Sequence, residues 1–250
     1  MYGHPAEMDA IMEIAQKHGL IVIEDGAHAT GASYKGKKVG STHENNITCF
    51  SFMNKCMTVC GDGGMAVTSN EELSNSMKLH RYLGQDEVFT WQERIYLSKV
   101  IGFNYRMSEI AAAVGRIMLK KLPELNENRR RVAAVYADVL KGVSDLSLPA
   151  EKPWAYSTYL WYVVRTKDSK KNDALREFLR EKGIVGTEVP YKIPIHLQPV
   201  YRRDYGYKEG DFPITEREKK ECFSLSTRPP FSLEEARRNA EAVKEFFRRS

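Results

Sequence analysis

Apolar residues at Met8, Ile11, Met12 and Ile14 recur at helical spacing across residues 7–18, and Gly19 follows at once. The spacing predicts an amphipathic helix closed by a residue free to turn left-handed. Next comes Leu20-Ile21-Val22-Ile23, an apolar run of strand length ending in Glu24-Asp25. A helix feeding a short, continuously apolar strand is the repeating unit of a parallel α/β sheet. Residues 47–52 and 65–68 read as two more strands, and the loop between them holds Lys55 and the cluster Gly61-Asp62-Gly63-Gly64.

From Ser108 onward the pattern turns helical, with Ile110, Val114, Ile117 and Met118 on one face. Pro123 is expected to end that helix and act as a hinge, and a second long helix runs to about Leu140. The remainder reads as a smaller α+β unit. It has a strand over 160–165, a helix over 172–182, a loop-rich stretch over 191–213 and a final helix. Ser232 with Glu235 three residues on marks that helix's start as a capping box. There is no internal repeat and no low-complexity tract.

With 250 residues, 42% hydrophobic and 28% charged, the chain has material for one large domain or two small ones and is not of disordered composition. The net charge of +5 is spread along the chain, which argues against a nucleic-acid partner. Arg129-Arg130-Arg131 is the densest basic run, but Val132, Val135 and Val139 form an apolar stripe beside it, so the run reads as a solvated helix face. Residues 1–7 lack the apolar core of a signal peptide, and no apolar run reaches membrane length. A soluble, cytoplasmic protein with no membrane partner is expected. Cys49, Cys56, Cys60 and Cys222 suit a reducing compartment, and their spacing forms no metal site.

The residues that carry chemistry are Asp25, His28, Ser51 and Lys55. An acid at the carboxyl end of a buried strand stands where open α/β sheets bind ligands, though a lone Asp there is more often a helix cap or a structural hydrogen-bonder. Lys55 alone reads as an ordinary loop lysine. The sequence around them is more specific. Glu24-Asp25-Gly26-Ala27-His28-Ala29-Thr30-Gly31 is followed by Phe50-Ser51-Phe52-Met53-Asn54-Lys55 and then by Gly61-Asp62-Gly63-Gly64-Met65. Gly3-His4-Pro5-Ala6-Glu7-Met8-Asp9 opens the chain, Gly102-Phe103-Asn104-Tyr105-Arg106-Met107-Ser108 lies in its middle, and Pro194-Ile195-His196-Leu197-Gln198-Pro199 lies near its end. In this order the motifs resemble the DegT/DnrJ/EryC1/StrS family of sugar aminotransferases dependent on pyridoxal 5'-phosphate (PLP), over essentially the whole chain.

The resemblance implies fold type I of the PLP-dependent transferases: a partial large α/β domain with a mixed, mostly parallel sheet over residues 1–122, then a small α+β domain over 123–250. It implies transfer of an amino group from a donor such as glutamate to a keto group of a nucleotide-linked sugar. Lys55 would hold PLP as an imine and shuttle the proton, and Asp25 would keep the ring nitrogen protonated, which deepens the cofactor's electron sink. His28 would lie against the ring or its phenolic oxygen, and Ser51 would donate to the phosphate. Asn104 would reach into a neighbouring subunit's site, so a homodimer is expected. Arg106 offers a fixed cation for a diphosphate or carboxylate, and His196 lies in a loop expected to approach the acceptor.

Two departures stand out. Family members usually place one more residue between the second Phe of the Phe-Ser-Phe strand and the lysine, and a one-residue slip would turn Ser51 to the other face. They also extend further at the N-terminus, so a separate chain supplying that region, a non-catalytic fragment or half of a split enzyme is the rival reading. On that reading the isolated chain binds PLP weakly and exposes a sheet edge. A related sugar dehydratase would carry histidine in place of Lys55.

Overall fold

A computed structural model describes residues 1–53, 63–89, 94–189 and 191–249. Along the chain these form α1 (Met8–Lys17), β1 (Val22–Asp25), β2 (Ser33–Tyr34), β3 (Lys37–Lys38), β4 (Asn46–Ser51), β5 (Gly64–Val67), α2 (Glu71–Arg81), β6 (Gln85–Phe89), β7 (Arg94–Ser98) and α3 (Glu109–Leu140). There follow β8 (Leu146–Ser147), β9 (Ala155–Tyr156), β10 (Tyr162–Thr166), α4 (Ser169–Glu181), α5 (Pro199–Tyr205), α6 (Pro213–Glu221), β11 (Cys222–Leu225) and α7 (Leu233–Arg249). The chain divides into two compact units. One holds residues 3–124 and 152–158, and the other holds 125–151 and 159–250. Helix α3 starts in the first and ends in the second.

In the first unit, the main sheet has the order β1-β4-β5. β1 runs parallel to β4, pairing Val22 with Asn46 and Asp25 with Cys49, while β5 returns antiparallel, pairing Ser51 with Gly64. The sheet is therefore mixed. Glu24 fixes the β1 register by accepting a hydrogen bond from the Thr48 hydroxyl at 2.8 Å. Beyond the sheet lie a second small one of order β3-β2-β9 and the hairpin β6-β7. Helix α1 ends as its sequence indicates, with Gly19 at φ +62°.

Three features of this unit depart from the sequence pattern. Helix α2 carries no buried residue, so it has no apolar stripe to betray it. Its start is fixed instead by Asn70, whose Oδ1 accepts from Leu73 N at 3.0 Å. The hairpin β6-β7 likewise lacks a simple alternation. And Pro123 does not end a helix: α3 runs unbroken through it. An interior proline costs about 3 kcal/mol, but Leu122 beside it is buried with Phe52 and Ala111, and Val132 and Tyr136 are buried further along. Burial of each such side chain contributes roughly 1.5–3 kcal/mol, enough together to carry the helix past the proline.

The second unit is an antiparallel sheet of order β11-β10-β8 covered by helices. Tyr162 and Val164 of β10, Phe223 and Leu225 of β11, Leu175 and Leu179 of α4, and Ala236, Ala240 and Val243 of α7 form one core. The Tyr136 hydroxyl donates to the Ser226 carbonyl at 2.8 Å, satisfying a phenol at the centre of this apolar cluster. The capping box of α7 forms as read: Ser232 N donates to Glu235 Oε2 at 2.9 Å and Glu235 N to Ser232 Oγ at 3.0 Å.

The basic run corrects its sequence reading. Arg129 is buried and donates to Asn126 Oδ1, and Arg130 forms a bidentate pair with Glu151 at 2.6 and 3.1 Å, so of the three only Arg131 faces solvent. An arginine on the core side of a helix is tolerated when its fork finds such partners. The stretch over 191–213 is less loop-like than its composition suggests, because Pro199 and Pro213 occupy first-turn positions and start α5 and α6.

Candidate functional site

Strand pairing decides which side chains share a face. Partners in a parallel pair point the same way, and alternate residues of a strand return to the same face. Asp25 is paired with Cys49, so Asp25, Cys49 and, two residues on, Ser51 lie on one face of the β1-β4 sheet. The Glu24–Thr48 hydrogen bond marks the opposite face and confirms the register independently. The shortened spacing to Lys55 has therefore not slipped β4. Cys49 registers its neighbours: burial pushes its thiol pKa up, and the Asp25 charge adds to the rise. Only the register reveals that it stands between the two candidate residues.

Asp25 is exposed at the carboxyl end of β1, where its Oδ1 accepts from Ala27 N at 3.0 Å. That bond turns the chain sharply out of the strand. The turn is closed by Ala29 N donating to Gly26 O at 2.8 Å, and His28 sits in it, half-buried. Gly26 is required there: a Cβ would lie 2.8 Å from Thr48 Cγ2 and 3.3 Å from the Cys49 carbonyl. The turn thus presses directly on β4. Ser51 Oγ accepts from Met53 N at 3.2 Å, and Phe52 N donates to Gly63 O at 2.9 Å, tying both ends of the intervening segment to the sheet. Lys55 itself, with Asn54, Cys56, Cys60, Gly61 and Asp62, lies outside the described residues.

Asn104 and Arg106 belong to a different surface. Asn104 is exposed and bridges to Tyr82, and its Oδ1 accepts from Arg106 Nε at 3.0 Å. Arg106 lies with its guanidinium carbon 4.6 Å from the Tyr82 ring centre. Met107 anchors this segment by packing with Phe50 and Phe52, which alternate with Cys49 and Ser51 along the chain. The register groups Asp25 with Ser51, while Asn104 and Arg106 are held to each other and to Tyr82.

His196 is not presented to solvent as its loop position suggests. It is buried in a 3₁₀ turn (Ile195–Leu197), its Nε2 3.0 Å from Glu216 Oε1 and its ring 4.7 Å from that of Phe212. Glu216 also accepts from Gly210 N at 2.9 and 3.0 Å and from Phe212 N at 3.4 Å. Burial raises the Glu216 pKa, but these backbone donors and His196 outweigh it and hold the carboxyl below its usual range. The histidine is thus half of a buried polar clasp that fastens residues 206–212. Among the described residues no cluster of His, Cys, Asp or Glu is able to hold a metal ion, and no helix is long and apolar enough to cross a membrane.

The donor set on the shared face suits a PLP molecule: a carboxylate to accept from a protonated ring nitrogen and, one strand away, a hydroxyl to donate to a phosphate oxygen. Comparison with known proteins agrees. The model of the DegT/DnrJ/EryC1/StrS aminotransferase family matches residues 1–244, and the chain belongs to that family, whose members are PLP-dependent and of fold type I. It is 38% identical over 250 residues to a pleiotropic regulatory protein of Geobacillus stearothermophilus, covering 99% of this chain and 64% of that protein. It is 34% identical to the dTDP-3-amino-3,4,6-trideoxy-alpha-D-glucose transaminase of Streptomyces venezuelae, covering 100% and 62%. The crystal structure of S. venezuelae DesV in complex with a ketimine intermediate superposes with a TM-score of 0.89, covering 100% of this chain and 64% of that one. The chain thus spans a little under two thirds of the length of these relatives.

Proposed function

We propose that the chain carries the cofactor-holding face of a PLP-dependent aminotransferase that moves an amino group from an amino-acid donor, glutamate being the simplest, to a keto carbon of a nucleotide-linked sugar. The observation that carries this reading is the placement of Asp25 and Ser51 on one face of the β1-β4 pair by strand register. Bound there, PLP supplies an electron sink for the carbanion that develops when a proton leaves the substrate carbon. Asp25 accepts a hydrogen bond from the ring nitrogen and so favours its protonated form. Ser51 would donate to the phosphate, and His28, from the turn after β1, would border the ring. Lys55 Nζ would hold the cofactor and would serve as the base and acid that moves the proton.

The domain limits we adopt are 1–122 and 123–250, with the cofactor on the first. Asn104, exposed between the exposed Ile101 and Tyr105, fits a role in a neighbouring subunit's site and therefore a homodimer. The thiols of Cys49 and Cys222 are free, which suits a reducing, cytoplasmic setting. A second reading, completion of the site by a separate chain, is favoured by β1: it is the edge of its described sheet, and Ile21 and Ile23 are 60% and 70% exposed.

The test is to incubate the purified chain with PLP, reduce with borohydride and map the labelled peptide. Label at Lys55, lost in Lys55→Ala and weakened in Asp25→Asn, is the expected result. Label at another lysine overturns the site assignment. Label at Lys55 only after a second polypeptide is added establishes the split form.

A further inference from the structure

Over residues 103–110 every side chain is exposed except that of Met107. It packs with Phe50 and Phe52 in the small apolar cluster of Ala111 and Leu122, on the face that alternates away from Ser51. A methionine turned inward has an ordinary explanation, since its unbranched side chain fills irregular gaps in a core. What this one fastens gives it a further role.

The stretch before Met107 is fixed to another part of the unit. Lys99 N donates to Gly84 O at 2.8 Å, Leu83 N to Phe103 O at 2.9 Å, Phe103 N to His80 O at 2.7 Å and Tyr105 N to Arg81 O at 3.0 Å. With the Tyr82 bridge and the Arg106–Asn104 hydrogen bond, these make residues 99–106 one piece with the end of α2. That piece grips the sheet weakly. Helix α2 buries no residue completely, and Ile101, Phe103 and Tyr105 are exposed. The start of α2 is tied down, where Asn70 Nδ2 donates to Asn45 Oδ1 at 3.1 Å, but that bond lies roughly 15 Å back along the helix. Met107 is where the piece meets β4. Directly after it, Ser108 Oγ accepts from Ala111 N at 3.2 Å and opens α3, which rests on the same cluster.

The seat is shaped for the methionine. A Cβ on Gly63 would stand 2.8 Å from Met107 Sδ and 3.6 Å from Phe52 Cβ, so the bare main chain at 63 leaves the space that the thioether occupies. Truncating Met107 would free the piece that bears Asn104 from the strand that bears Ser51, with its backbone bonds to α2 intact.

We propose that Met107 is a positioning residue for the neighbouring subunit's cofactor site: it seats the Asn104 segment on the sheet and acts on that site through Asn104. The proposal rests on the shared-site reading of Asn104 given above. The two faces of one strand then serve two sites, Ser51 its own and Phe50 with Phe52, through Met107, the neighbour's.

The test uses paired subunits isolated by two affinity tags, titrated with PLP, with borohydride-fixed label on Lys55 read at each concentration. The Met107→Ala pair is expected to need about tenfold more PLP for half-labelling, the loss of one hydrogen bond to a charged group. Met107→Leu, which keeps the volume, is expected within about threefold of the unaltered chain. When Met107→Ala is paired with Lys55→Ala, only the first is labelled and its Asn104 comes from a chain with Met107 intact, so normal labelling is expected. When the unaltered chain is paired with Met107→Ala/Lys55→Ala, the labelled chain is intact and the tenfold weakening is nonetheless expected. Met107→Val, a milder truncation, replaces Met107→Ala throughout if that variant does not fold. The opposite pattern in the two mixed pairs, or no weakening in the Met107→Ala pair, overturns the proposal and leaves the aminotransferase reading standing. So does full labelling of a chain that is monomeric, or a further weakening by Met107→Ala in an Asn104→Ala background. No label at Lys55 in any pair overturns both.

Discussion

At the scale of single residues, environment decides roles that residue type leaves open. Glu216 and His196 illustrate this: neither has an obvious structural task in the sequence, yet they form a buried clasp on Gly210 and Phe212. The Glu216 carboxyl is held below its ordinary pKa, so its ionised form stabilises the fold above about pH 4.3, the unfolded value, and that contribution disappears as pH falls through the folded value. Amide hydrogen exchange at Gly210 and Phe212 is accordingly expected to quicken in acid relative to the rest of the second unit. Glu216→Gln, which keeps the shape and removes the charge, is expected to quicken it at neutral pH and flatten its acid dependence. Asp25 and Ser51 were legible as candidates because each ends an apolar strand. Their common face was not, because which residue opposes which is a non-local fact that no single strand encodes. The burial of His196 was not legible for a related reason: its partner stands twenty residues away, and burial follows from that pairing instead of from its own loop.

Elements were readable where their burial is one-sided and regular. α1 ends at its glycine, and α7 begins at its Ser-x-x-Glu box, because both signals act within one turn. α2 went unread because it buries nothing completely, so no periodic stripe marks it. The proline in α3 is the clearest conflict between local and tertiary preference. Pro123 lacks the N–H that would bond to Leu119, and it is exposed, so little packing is at stake. Pro123→Ala is therefore expected to restore that bond and raise stability by up to about 3 kcal/mol, read as a higher urea midpoint with an unchanged slope. A fall in stability would mean that the proline shapes a bend the packing requires.

At the scale of the molecule, exposed apolar side chains recur along the chain, and several of them border Asn104. Ile101 is 92% exposed, Ile110 75% and Tyr105 70%, all flanking Asn104 in the chain. A patch of this kind marks an association surface, and sedimentation is expected to show a dimer that Ile101→Asp/Ile110→Asp converts to monomer. A chain that stays monomeric at every concentration would remove the shared-site role proposed for Asn104. The fold class and the family were legible across the whole sequence because short motifs recur in a fixed order. The clamp formed by Phe52 N and Gly63 O has a broader bearing. It closes the main chain at the two described residues that flank the 54–62 stretch, so a change in the length of that stretch is expected to leave the register that pairs Asp25 with Cys49, and with it the face of Ser51, untouched.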